Sequence, residues 1–149
     1  MYNPADFTLH NHVAVVTGAG AGIGKAIAET FAAAGAAVMV SDLDLNTANI
    51  VVKESEAKGG KAAGIACDVT NEDDLATLVN TTVETFGKLT IVVGNAGGGG
   101  PKPFDMPMKD FRWAFELNVF SLFKLAQLAA PEMEKAGGGS VLAITSMAA

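Results

Sequence analysis

Short apolar runs alternate five times with helix-patterned segments along this chain, and that alternation restricts the folds open to it. Val13–Thr17 is a continuous apolar run, the pattern of a strand buried on both faces. Residues 23–34 follow with helical spacing and many alanines, and Gly35 is a stop signal. Residues 37–41 repeat the strand pattern. Asn46 or Thr47 can cap a helix running to Lys58, where Gly59 and Gly60 end it. Residues 62–67 make a weaker third strand. Thr70 can cap a third helix through Phe86, with acidic residues in its first turn favourable to the helix dipole, and Gly87 stops it. A fourth strand at 90–93 leads into a long loop, 94–107. A helix is expected over 109–136, kinked or restarted at Pro131, with Gly137 to Gly139 ending it. Residues 141–145 form a fifth strand. Such a sequence predicts parallel strands joined by right-handed crossovers, with helices on both faces: a doubly wound α/β sheet. Ligands of such sheets bind beyond the carboxyl ends of the strands.

Composition narrows the function classes. The 149 residues are the size of one domain, expected to span 1–149, and 50% apolar content rules out intrinsic disorder. The net charge is −6 with only 10 Lys and Arg and no basic run, which argues against a nucleic-acid or anionic-membrane surface. Cys67 is the sole cysteine, so neither an internal disulfide nor a cysteine-based zinc site is available. His10 and His12 sit together near the start, too few for a metal cluster. The N-terminus lacks the pattern of a signal peptide, and no apolar run approaches the ~18 residues of a membrane span. A cytoplasmic location is the expectation, in keeping with one free thiol. The single tyrosine is Tyr2.

The turn after the first strand reads Thr17-Gly18-Ala19-Gly20-Ala21-Gly22-Ile23-Gly24-Lys25. Backbone N–H groups between a strand and a helix can receive a pyrophosphate, and glycines let it approach. A P-loop fails at Ala19 and Ala26, and Gly-x-Gly-x-x-Gly fails at Ile23. The pattern that fits is Thr-Gly-x-x-x-Gly-x-Gly, using Gly18, Gly22 and Gly24. Asp42 closes the second strand, 24 residues after Gly18, near the spacing of an acid that binds the adenosine ribose. Its carboxylate would accept from both ribose hydroxyls and repel the extra phosphate of NADP. No Lys or Arg occupies 41–45, and Asp44 adds negative charge, so NAD is the expected cofactor. Asp68 and Val69 end strand three, where Asp68 can accept from the adenine amino group or simply cap a turn. Asn95, Ala96 and Gly97 follow strand four at the same edge. At 100° per residue, Asn118 falls among Phe111, Ala114, Leu122, Leu125 and Ala129, opposite Lys109, Arg112, Glu116, Lys124 and Gln127. An amide on an apolar face needs partners, and from the residues alone it is either a satisfied structural group or a functional one. Trp113, Phe120 and Phe123 intrude on the polar sector, so the helix is apolar nearly all round. Such a helix is buried on both sides, against the sheet and against another subunit.

Thr17 to Gly24, Asp42, Asp68, Asn95-Ala96-Gly97, Asn118 and Ser146 together resemble the short-chain dehydrogenase/reductase family over nearly the whole chain. More narrowly, residues 97–107, 116–121, 131–135 and 145–149 are similar to the bacterial 7α-hydroxysteroid dehydrogenases of that family. The resemblance implies a Rossmann fold, here reaching only the fifth strand, and hydride transfer between NAD and a bile-acid hydroxyl or ketone. It implies cofactor contacts from Gly18, Gly22, Ile23, Gly24, Asp42, Leu43, Asp68, Val69, Asn95, Ala96 and Gly97. It assigns Ser146 and Asn118 to catalysis, Asn118 holding a water of the proton relay, and Gly99 and Ser146 to the substrate. It also implies a homo-oligomer through the 109–136 helix. Gly94 departs from the pattern, which has Asn there. The family's Tyr-x-x-x-Lys pair follows the serine and is absent here, so a truncated or cleaved form without measurable turnover is expected. Loss of a positioned acid/base costs about 10²–10⁴ in rate. A dehydrogenase for another alcohol, such as a sugar or a 3-oxoacyl thioester, and a nucleotide-binding module without chemistry are the alternatives.

Overall fold

The computed structural model describes residues 7–99 and 103–146; Tyr2, residues 100–102 of the long loop and residues 147–149 lie outside them. The elements are β1 (Val13–Thr17), α1 (Gly22–Ala33), β2 (Ala37–Asp42), α2 (Leu45–Ala57), β3 (Lys61–Ala66), α3 (Glu72–Phe86), β4 (Ile91–Gly94), α4 (Met108–Phe115), α5 (Ser121–Lys135) and β5 (Ser140–Ala143). All five strands run parallel in the order β3-β2-β1-β4-β5. The doubly wound α/β expectation holds. Strand order reverses direction between β1 and β4, so their carboxyl ends face a common crevice.

Strand periodicity divides the core into two layers. Ala14, Val16, Val38, Val40, Ile91 and Val93 point to one face, where Ala28 and Ala32 of α1 and Ala48 and Val51 of α2 cover them. Val15, Met39 and Val92 point to the other, against Leu75, Leu78 and Val79 of α3 and Leu125, Ala129 and Met133 of α5. Register places Val16 beside Val40 and Val93, so the most buried strand lies between two equally apolar neighbours. Burying one such side chain is worth about 1.5–3 kcal/mol. At the edge the pattern changes: Val141 and Leu142 of β5 are exposed.

Helix starts differ from the expected ones, for local reasons. Asp44 caps α2, its Oδ1 accepting from Asn46 N at 2.8 Å, so neither Asn46 nor Thr47 does. Asn71 caps α3, accepting from Asp73 N at 2.9 Å. Thr70 is already engaged, donating from N and Oγ1 to Asp68 Oδ1 at 2.9 and 2.7 Å.

Of the kink or restart expected at Pro131, the restart does not occur: α5 runs through it to Lys135. Pro131 is exposed, so the carbonyl that loses its N–H partner one turn back can meet water. The irregularity lies earlier, at Glu116–Phe120, a wide π-turn closed by Ser121 N donating to Glu116 O. An extra residue in that turn shifts the phase between α4 and α5. A uniform 100° step therefore does not carry across it. Within the single chain only one side of this segment is covered. The buried stripe of α5 is Ser121, Leu125, Ala129 and Met133, α4 has no buried residue, and Trp113, Phe120 and Phe123 are exposed. Among the described residues, no helix is long and apolar enough to cross a membrane.

Candidate active site

The glycine-rich turn is stitched to both neighbouring strands. Ala19 N donates to Ser41 O at 2.9 Å, and Gly20 N donates to Asp42 Oδ2 at 2.8 Å. On the other side, Asn95 Nδ2 donates to Thr17 O and Gly18 O, both at 3.0 Å. The Thr17 hydroxyl accepts from Asn95 N at 3.1 Å and Ala96 N at 3.0 Å. Buried Thr17 and the Asn95 carboxamide thus lock the turn to the end of β4. Gly18 takes φ 60°, and a Cβ on it would stand 2.9 Å from Ala96 Cα. Gly22 takes φ 57° and opens onto free space at the start of α1. Gly24 has the opposite surroundings: a Cβ there would collide with Asn95 Nδ2 and Gly18 O. It lets α1 approach the turn.

The N-cap of α1 is Ala21, which has no side-chain oxygen, whereas Asp44 and Asn71 cap α2 and α3. The first N–H groups of a helix lack intrahelical partners and attract anions. At this end no cap competes for them. Open space at Gly22, uncapped amides and the locked turn fit a pyrophosphate.

Two cavities flank this edge. The smaller, about 460 Å³, is lined by Gly18, Asp42, Leu43, Asp68, Val69, Asn95, Ala96 and Gly97 among others. Among the described residues, the only charged groups lining it are the acids Asp42 and Asp68. The larger, about 900 Å³, brings together Ile23, Val69, Ala96, Gly97, Gly99, Asn118 and Ser146. Of the residues the sequence singles out, Gly22 and Gly24 line neither space, for the reasons just given. Asp68 Oδ1 is committed to Thr70, and its N–H donates to Asp74 Oδ2 at 2.9 Å. Asp68 thus does form the turn that was its simpler reading.

Asn118 sits in the π-turn with its carboxamide fully engaged. Oδ1 accepts from Gly98 N at 3.1 Å, while Nδ2 donates to Gly98 O at 2.9 Å and Ala114 O at 2.8 Å. Its side chain pins the loop after β4 to the helix. The Ser121 hydroxyl donates to Leu117 O at 2.6 Å, serving a carbonyl within the irregular turn. Gly94 meets the wall of the larger cavity: a Cβ there would collide with Leu122 Cδ1. The departure from Asn at that position goes with a leucine that fills the space.

Sequence reasoning missed three contributors. In the sequence Thr17 is only the first letter of the turn motif and Trp113 only an intruder on a polar sector, yet Trp113 lines both cavities. Asp110 also lines the larger one. Cys67 borders the smaller cavity at 3% exposure, and burial pushes its thiol up to about 11. It stays protonated at neutral pH and is no nucleophile.

Comparisons with known proteins converge on one family. Residues 12–149 match the family model described as short chain dehydrogenase. The chain is 58% identical over 149 residues to the 7α-hydroxysteroid dehydrogenase of Escherichia coli K12 and covers all of this chain but 58% of that protein. A solved 7α-hydroxysteroid dehydrogenase complexed with NADH and 7-oxo glycochenodeoxycholic acid superposes with a TM-score of 0.95 and 58% identity, over 99% of this chain and 58% of that one. Bovine L-fucose dehydrogenase is 38% identical over 137 residues, 91% of this chain and 49% of its own length. The chain thus spans about half the length of the curated relatives it matches, and it carries the turn, the locking asparagine and the sheet order together. It belongs to the short-chain dehydrogenase family.

Proposed function

We propose that this chain is the NAD-binding portion, over residues 1–149, of an oxidoreductase that moves hydride between NAD and a hydroxysteroid hydroxyl or ketone of the bile-acid class. The observation that carries it is the Asp42 carboxylate at the end of β2, hydrogen-bonded to the glycine turn that leads into the uncapped start of α1. Bound NAD supplies the hydride acceptor, and its reduced form the donor. The chain's own residues bind and orient. Gly18, Gly22, Ile23 and Gly24 shape the pyrophosphate cradle; Asp42 and Leu43 border the ribose; Asp68 and Val69 border the adenine; Asn95, Ala96 and Gly97 hold the loop beneath the dinucleotide. Ser146 lines the larger cavity, where its hydroxyl can donate to the substrate oxygen as charge develops. Gly99 borders the substrate, and Asn118 fixes the neighbouring loop.

Electrostatics favour NAD over NADP. Two like unit charges about 5 Å apart repel by about 3 kcal/mol at an effective dielectric constant of about 20, which corresponds to about a hundredfold in affinity. The steroid is favoured over a sugar by 58% against 38% identity and by the Trp113, Leu122, Leu125 and Ile144 lining of the larger cavity. No Tyr-x-x-x-Lys pair occurs in the sequence, whose one tyrosine is Tyr2, so this chain alone is expected to show no turnover. A homo-oligomer through the 109–136 helix and a cytoplasmic location complete the proposal.

Calorimetric titration with NAD and NADP tests it. NAD should bind, and more tightly than NADP. Tighter binding of NADP, or silence with both, overturns the cofactor assignment. Clear oxidation of a bile acid by the pure chain would overturn the expected inactivity while leaving the substrate class standing.

A further inference from the structure

Gly20 is unexplained by the turn motif. Gly18, Gly22 and Gly24 satisfy the spacing, and position 20 is free on that pattern. Backbone conformation does not call for glycine there either, because Gly18 and Gly22 have positive φ and Gly20 does not. The requirement is space. A Cβ at position 20 would collide with Thr47 Oγ1 and stand 2.8 and 2.9 Å from Asp42 Oδ2 and Cγ. Thr47 has little freedom to yield, since its hydroxyl donates to Asp44 O at 2.8 Å at the start of α2.

That close approach brings the Gly20 N–H to Asp42 Oδ2 at 2.8 Å. The other carboxylate oxygen lies 3.3 Å from Asp44 N. The acid is therefore clamped to the turn on one side and to the loop before α2 on the other. A carboxylate on a free rotor can swing away from an incoming phosphate and tolerate it. A carboxylate held by a charge-assisted backbone bond keeps its charge in place and turns proximity into exclusion.

We propose that Gly20 is a specificity-determining positioning residue, whose bare Cα and N–H hold Asp42 where it accepts the ribose of NAD and rejects the 2′-phosphate of NADP. This rests on the dinucleotide reading above. A purely structural role would weaken both cofactors alike, so the diagnostic quantity is the ratio of their dissociation constants. In Gly20→Ala the preference for NAD should fall about tenfold, towards that of Asp42→Ala. Adding Gly20→Ala to Asp42→Ala should leave the ratio unchanged, because the group that Gly20 positions is already gone. A Gly20→Ala chain that keeps the wild-type ratio overturns the proposal. Should that variant fail to fold, amide exchange of the unmodified chain decides. The Gly20 N–H should be protected in the wild type and lose protection in Asp42→Ala; equal exchange in the two refutes the clamp. A wild-type chain that binds neither dinucleotide brings down the underlying reading and this one with it.

Discussion

Cys67 shows how one side chain reports the packing around it. Its thiol is nearly inaccessible, and burial raises its pKa from an ordinary 9.0 to about 11, with Asp74 and Asp68 pushing the same way and the Ser41 hydroxyl opposing them. The folded chain therefore holds the proton more tightly than the unfolded chain does. The corresponding stability is complete below about pH 9 and is lost as the pH rises through about 11. Thermal midpoints should fall more steeply across that interval in the wild type than in Cys67→Ala, and parallel curves would contradict the assignment. A thiol reagent at pH 8 should label the native chain slowly and the denatured chain at an ordinary rate. Thr17 makes the complementary point. Its hydroxyl serves Asn95 and Ala96, residues 78 and 79 positions away, and nothing near it in the sequence announces that role.

Among the elements, α3 depends most visibly on a single cap. Asn71 Oδ1 satisfies Asp73 N, while Glu72, Asp73 and Asp74 place negative charge at the positive end of the dipole. Asn71→Ala should cost about 1 kcal/mol, seen as a fall of about 2–4 °C in the unfolding midpoint. Thr70→Ala, which removes only a side-chain donor to Asp68, should cost less; the reverse order would return the cap to Thr70. The sheet itself was legible, because continuous apolar runs bounded by glycine stops have few other solutions. Cap positions slipped by one to three residues because Asp44, Asn46 and Thr47, or Thr70 and Asn71, are interchangeable to local pattern and are sorted only by hydrogen bonds. The π-turn left no trace in hydrophobic spacing, which assumes a constant step. At the site, the motif glycines and Asp42 stood out. The clamp between Gly20 and Asp42 did not, since it depends on β1 and β2 lying side by side.

Taken as a whole, the molecule carries its apolar surface asymmetrically. On the α1–α2 side the exposed large apolar side chains, Ile23, Leu45 and Ile50, are aliphatic, and the Lys25–Glu54 and Lys58–Glu29 ion pairs lie at the same surface. On α4, the π-turn and α5, the rings of Phe111 and Phe115 meet at a tilt with centroids 5.1 Å apart and those of Phe115 and Phe120 at 6.2 Å, with Trp113 and Phe123 also 51% and 65% exposed. A ring cluster of this kind is larger than isolated surface apolar residues explain. A net charge of −6 opposes association at long range, but salt screens that repulsion within about 8 Å at physiological ionic strength. The ring contacts are indifferent to salt. Sedimentation should therefore show concentration-dependent association that strengthens, or at least persists, as salt is added. Phe120→Glu and Phe123→Glu should each shift the chain towards monomer, because each would bury a carboxylate among rings at a cost far above that of a surface substitution. Trp113 lies in the same segment and lines both cavities, so its fluorescence should respond to association and to dinucleotide alike. A wild type that stays monomeric up to near-millimolar concentration would assign those rings to some other contact and remove the oligomer from the proposal.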